Sequence, residues 1–189
     1  MIPHKILLLI SVAALILAVL ACTINIGGPA YPSQPIPIST EAVGDLNSVV
    51  QTAVAVEPET GQVRLVLNEV QLTSYLAARL QAENQPILTN PQVYLRNGQI
   101  QLYGTARQGY LQVTIAVIVT AGVDSQGQLT LELTSADFGP LPVPAGLKDA
   151  ITAAIREAYT GAIGPAAVGF RLESITIADG TMIVIGRTR

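Results

Sequence analysis

The chain has 189 residues and a formal charge of −3; half of its residues are hydrophobic, yet only 4% are aromatic and none is tryptophan. This mildly acidic balance offers no basic patch to nucleic acid or to anionic head groups. Charged residues make up 12%, about half the usual share, so the interior must be aliphatic and much apolar surface must be hidden or used.

Residues 1–21 read as an address. Lys5 supplies a basic start, residues 6–20 are apolar, and small residues lead to Cys22, the only cysteine; this is the pattern of an export signal. Val19-Leu20-Ala21-Cys22 resembles the lipobox of bacterial lipoproteins, in which the cysteine thiol takes a diacylglyceryl group and becomes the first residue. The resemblance implies a signal peptide over 1–21 and a lipid anchor at Cys22, with palmitate among its acyl chains. It places the rest of the chain on the extracytoplasmic face of a membrane in the cell envelope. The competing possibilities are a retained span and an uncleaved signal, but residues 6–20 fall short of the roughly 20 apolar residues a span needs. One acyl chain binds a membrane weakly, whereas two or three hold it. A lone cysteine allows no disulfide within the chain, so the fold rests on its core.

Residues 22–39 carry Pro29, Pro32, Pro35 and Pro37 beside Gly27-Gly28 and read as an extended tether. Residues 40–189 then form a single domain, large enough to bury a core unaided. Ser39 or Thr40 caps a first helix with Val43, Leu46, Val49, Val50 and Ala53 at helical spacing. After Gly61, Val63, Leu65 and Leu67 alternate as a strand. Asn68 and Gln71 form a capping box for a second helix, whose face is Leu72, Leu76 and Leu80 with Tyr75 and Ala77 beside it.

Val93 and Leu95, then Asn97-Gly98, then Ile100 and Leu102 predict a hairpin. A two-residue Asn-Gly loop takes positive φ at both positions and selects a type I′ turn. That register pairs Leu95 with Ile100 and Val93 with Leu102, leaving one apolar face and one polar, wet face. A long strand over 110–123 puts Leu111, Val113, Ile115, Val117 and Val119 on one side. Asp124-Ser125-Gln126-Gly127 turns the chain, and Leu129, Leu131 and Leu133 return. A helix entered through Pro144 and left at Gly161 presents Leu147, Ile151, Ile155 and Tyr159. Last, Ile175-Thr176-Ile177 and Met182-Ile183-Val184-Ile185 flank Asp179-Gly180, a second I′ hairpin apolar on both faces and so expected to be buried on both. The two hairpins match position by position, from Val93 with Ile175 to Gly104 with Gly186. A helix-and-hairpin pseudo-repeat would do this, and so would any two hairpins with good turns. The fold class expected from this order is α+β, a curved antiparallel sheet of hairpins packed on two or three helices.

These stretches together resemble small exported proteins of the tubular lipid-binding (TULIP-like) superfamily. The resemblance spans 63–186. It rests on Gln71-Leu72-Thr73-Ser74-Tyr75-Leu76 opening a helix, on the hairpin at 93–104, on Gly139-Pro140-Leu141-Pro142-Val143-Pro144 leading into a helix, and on the closing Asp-Gly hairpin. It implies a half-barrel sheet wrapped on helices, with an apolar groove able to take an acyl chain.

Reactive groups are scarce. His4, the only histidine, lies in the signal and Cys22 is spent on lipid, so imidazole, thiol and His- or Cys-based metal chemistry are excluded from the domain. Asp124 and Asp179 at turns, Glu69 and Asp149 in first helical turns, and Glu132 and Glu173 on strands have ordinary structural roles. Ser74 and Lys148 read as surface residues rather than a nucleophile pair. No catalysis, cofactor or metal is expected. Leu111, Val113, Ile115, Val117, Val119, Leu129, Leu131 and Leu133 either line a groove that Leu72, Leu76, Leu80, Ile151 and Ile155 close, or meet those side chains in a filled core. The expected function is binding or shuttling a lipid or other apolar ligand, with the membrane as partner through Cys22. The alternative is a non-catalytic scaffold lipoprotein holding an envelope protein by a sheet edge or exposed face.

Overall fold

The computed structural model describes residues 24–25, 27–55, 61–82, 88–108, 111–140 and 170–188. Among these, two sheets and two helices make an α+β fold that is mostly antiparallel strand. The helix expected after Pro144 lies outside the described residues.

The larger sheet is built on β3 (Leu88–Arg96), β4 (Gln99–Gln108) and β5 (Leu111–Val123), paired in that order. The far edge of β5 is shared by two strands. β6 (Leu129–Asp137) pairs antiparallel with residues 116–123, and the short β1 (Ile24–Asn25) runs parallel to Leu111 and Gln112. The smaller sheet has the order β2 (Gln62–Asn68), β8 (Thr181–Thr188), β7 (Phe170–Ala178). Helices α1 (Thr40–Ala55) and α2 (Glu69–Gln81) precede and follow β2.

Local chemistry explains several element ends. Ser39 Oγ accepts from the Ala42 amide at 3.3 Å and caps α1. At α2 the capping box is complete: Asn68 Oδ1 accepts from the Gln71 amide at 2.9 Å and Gln71 Oε1 from the Asn68 amide at 3.0 Å. Asn97 and Gly98 have φ of 54° and 74°, and Leu95 pairs with Ile100 and Val93 with Leu102, as the I′ turn requires. The second hairpin differs from expectation. Gly180 takes φ of 82° while Asp179 stays out of the left-handed region, the φ pattern of a type II turn. Tertiary contacts accompany the change: the Gly180 amide donates to the Leu95 carbonyl at 2.9 Å, and its carbonyl accepts from the Glu69 amide at 3.3 Å.

α2 turns a different side inward from the one its leucines mark. Gln71, Thr73, Ser74 and Ala77 are buried, whereas Leu72, Leu76 and Leu80 are half-buried. The cause is the open edge of β3. Thr73 Oγ1 accepts from the Val93 amide at 3.0 Å and Glu69 Oε1 from the Leu95 amide at 2.7 Å, so the helix satisfies donors that a free edge would leave open. Arg96 grips Glu69 with both terminal guanidinium nitrogens. Ser74 is fully buried rather than a surface residue, because its Oγ accepts from the Ser39 amide at the start of α1 at 3.0 Å.

The main core gathers Leu46 of α1, Leu65 and Leu67 of β2, Leu95 of β3, and Met182 and Val184 of β8. A second cluster holds Val113, Ile115 and Phe138 with Leu88, Ala106 and Ala136. Burial on both faces of the last hairpin is not what forms. Met182 and Val184 are buried, but Ile183 and Ile185 on the other side are half-buried, and Val66 beside them is exposed.

The polar face of the first hairpin is not wet either. The proline-rich segment crosses it: Ile36 is buried, its amide donating to Gln92 Oε1 at 2.6 Å and its carbonyl accepting from Gln92 Nε2 at 3.2 Å. Tyr94 Oη donates to the Gln34 carbonyl at 2.9 Å and Tyr31 Oη to the Asn90 carbonyl at 3.0 Å. Tyr103 packs against both rings, at 6.1 Å from Tyr31 and 5.7 Å from Tyr94. Four prolines strip this segment of the donors a strand ladder needs, so side chains of β3 hold it instead.

Candidate functional site

The larger sheet carries one long aliphatic face. Register places Ala106, Gly104, Leu102 and Ile100 of β4 beside Val113, Ile115, Val117 and Val119 of β5. On the other side Leu133, Leu131 and Leu129 of β6 stand against Val119, Ala121 and Val123. A bulge in β6 opposite Ile118 and Val119 keeps Ala136, the partner of Val117, on the same side. From Val113 to Val123 no polar side chain interrupts this face.

The expected groove residues fall into three groups. Val113, Ile115, Val117 and Val119 are buried, and Leu111, Leu129, Leu131 and Leu133 are half-buried on the same face. Leu72, Leu76 and Leu80 stand on α2, which packs chiefly on β3 and α1, and Leu72 joins the main core. Cys22, Ile151 and Ile155 lie outside the described residues.

At the far end of this face opens a cleft of about 640 Å³ lined by Val123, Asp124, Gly127, Arg171, Leu172, Glu173 and Arg187. One wall is the β5–β6 turn. Asp124 Oδ1 ties it by accepting from the Gln126 and Gln128 amides, both at 2.8 Å. The Gly127 carbonyl accepts from the Leu172 amide at 3.0 Å, which docks the turn on the edge of β7. Gly127 has φ of 76°, and a side chain there would collide with the Arg171 stem. The other wall is charged. Arg171 and Arg187 are direct cross-strand partners, an arrangement that costs up to about 1 kcal/mol through like-charge repulsion. Among the described residues each has one compensating contact: Arg171 Nη2 donates to the Ser125 carbonyl at 2.9 Å, and Arg187 Nε pairs with Glu173 at 3.0 Å. The floor is apolar. Leu172 also packs against the main core, and Val123 ends the aliphatic face of β5.

Compared with known protein families, residues 34–187 match one described as LmeA-like phospholipid-binding. The chain belongs to the LmeA-like phospholipid-binding family. A comparison with curated proteins finds no match. The LmeA-like stretch begins inside the segment that Gln92 and Tyr94 hold and ends at Arg187, so it takes in both cleft arginines. Among the described residues of this LmeA-like domain no cluster of His, Cys, Asp and Glu could hold a metal ion, and no helix is long and apolar enough to cross a membrane.

Arg171, Arg187, Val123 and Leu172 escaped the reading of the sequence. Counting back from the Asp179-Gly180 turn pairs Arg187 with Leu172. The register shift between Leu172 and Ser174 moves the partner to Arg171. Two arginines on the last hairpin of a chain with only 10 basic residues were the available signal, and the bulge concealed that they meet.

Proposed function

We propose that this protein binds and shuttles a phospholipid or similar apolar ligand in the cell envelope, held to a membrane by acyl chains on Cys22. The observation that carries the reading is the three-strand aliphatic face of β4, β5 and β6, unbroken by a polar side chain from Val113 to Val123. Membership of a phospholipid-binding family supports it. So does length: the 13 residues of β5 extend about 40 Å, more than the ~30 Å hydrocarbon core of a bilayer, so an extended acyl chain fits along them. A TULIP-like half-barrel, with the sheet curved round the chain, is the architecture this role calls for. The face bears no acid, base or nucleophile, which favours carriage over turnover.

Native mass spectrometry of the full chain, released from detergent micelles after growth with labelled palmitate, tests both halves. Wild type is expected to carry a phospholipid mass and a palmitate label, and Cys22→Ser to keep the first and lose the second. A clean mass with no uptake of added phosphatidylglycerol would return the protein to the scaffold alternative. Label absent from wild type would remove the anchor.

A further inference from the structure

We infer that Arg171 and Arg187 form the recognition site for the phosphate of an anionic phospholipid, with the cleft as its head-group seat. This rests on the lipid-binding reading and adds to it a place and a charge. Two arginines stand directly opposite each other on adjacent strands, where like-charge repulsion disfavours them unless an anion is shared. Of the two acids at the cleft, Asp124 is occupied by the amides of its own turn. Among the described residues Glu173 is the acid that pairs with one of the arginines, Arg187, with Gln62 Nε2 at 3.4 Å from its other oxygen. The described lining thus holds two guanidinium groups and two carboxylates, and of these two cations Arg171 is, among the described residues, the one that no carboxylate engages, which leaves it for a phosphodiester oxygen. The floor below it, Val123 and Leu172, is where the glycerol backbone and first methylenes would lie. A low overall cation content does not weaken this, since the cations needed are concentrated at one point. Glu173 competes with the phosphate for Arg187, so it sets the affinity.

The test uses the full-length chain in detergent, loaded with phosphatidylglycerol, with diacylglycerol of the same chains, or with glycerol 1-phosphate, and read by native mass spectrometry. Arg171→Gln/Arg187→Gln is expected to retain at least tenfold less phosphatidylglycerol than wild type and an unchanged amount of diacylglycerol. Glu173→Gln is expected to retain more phosphatidylglycerol. If the double variant melts early, Arg187→Gln alone carries the comparison, because it leaves the Arg171–Ser125 contact in place. Equal retention of phosphatidylglycerol by wild type and variants would overturn the head-group site while leaving lipid binding intact. Uptake of neither lipid by wild type would overturn both. Glycerol 1-phosphate bound by wild type as tightly as the lipid would show a site for free phosphate esters and overturn the assignment to a lipid.

Discussion

Gln92 occupies a position on β3 that alternation marks as solvent-facing, yet it is only 7% exposed. Both ends of its amide are used, one on each backbone group of Ile36. Gln92→Leu is expected to leave those two groups without partners and to cost about 1–3 kcal/mol. A lower melting temperature together with faster proteolysis between residues 27 and 39 would show it; an unchanged melt would mean that the clamp contributes little. Single residues were legible where the partner lies nearby in sequence. Asn97-Gly98 announces its turn and Asn68 with Gln71 their cap, since both depend on neighbours two or three positions away. Gln92, Thr73 and Ser74 were not legible, because their partners are 56, 20 and 35 residues distant.

The segment before α1 shows the same principle at the scale of an element. Prolines mark it as extended and unable to join a ladder, and its composition alone suggests a solvated leash. Its attachment depends on phenols. Burial raises the pKa of Tyr31 above the ordinary 10.0, against a smaller opposing effect from its hydrogen bond with Thr105. Burial also raises Tyr94, with the charge of Glu69 adding to it and Arg96 opposing. A raised pKa in the folded state means that docking is at full strength below pH 10 and is lost as pH climbs through the folded values. A phenolate also cannot donate to the Gln34 and Asn90 carbonyls. Alkaline titration should therefore show two phenols ionising later than free tyrosine, with the segment becoming protease-sensitive over the same interval. Release near neutral pH would contradict this. In α2 the leucine stripe correctly announced a helix but not which side faces inward, since periodicity cannot register the demand of an open strand edge for acceptors.

For the whole molecule, alternation was enough to reach an α+β class, the register of the first hairpin and the return of β6 after β5. It did not reveal that the strands divide between two sheets, because β2 joins β8 across more than a hundred residues. Nor could it foresee the bulges in β3, β6 and β7 that reset partners. The division predicts a gradient of protection. β5 has neighbours on both edges and holds Val117, which is fully buried, and β8 lies between β2 and β7. Native-state hydrogen exchange is expected to be slowest on these two strands and faster on β6, whose pattern alternates between half-buried and exposed. Equal protection along β5 and β6 would indicate that the outer edge of β6 is covered.

β1 meets β5 at Leu111, whereas the arginine-rimmed cleft begins at Val123. Root and mouth are thus opposite poles of one rod about 40 Å long. Whatever grips the molecule by its amino-terminal end leaves the mouth facing away from the grip. Cargo released there would emerge on the side remote from the holder, which suits a reach across a gap better than a return to the surface of origin.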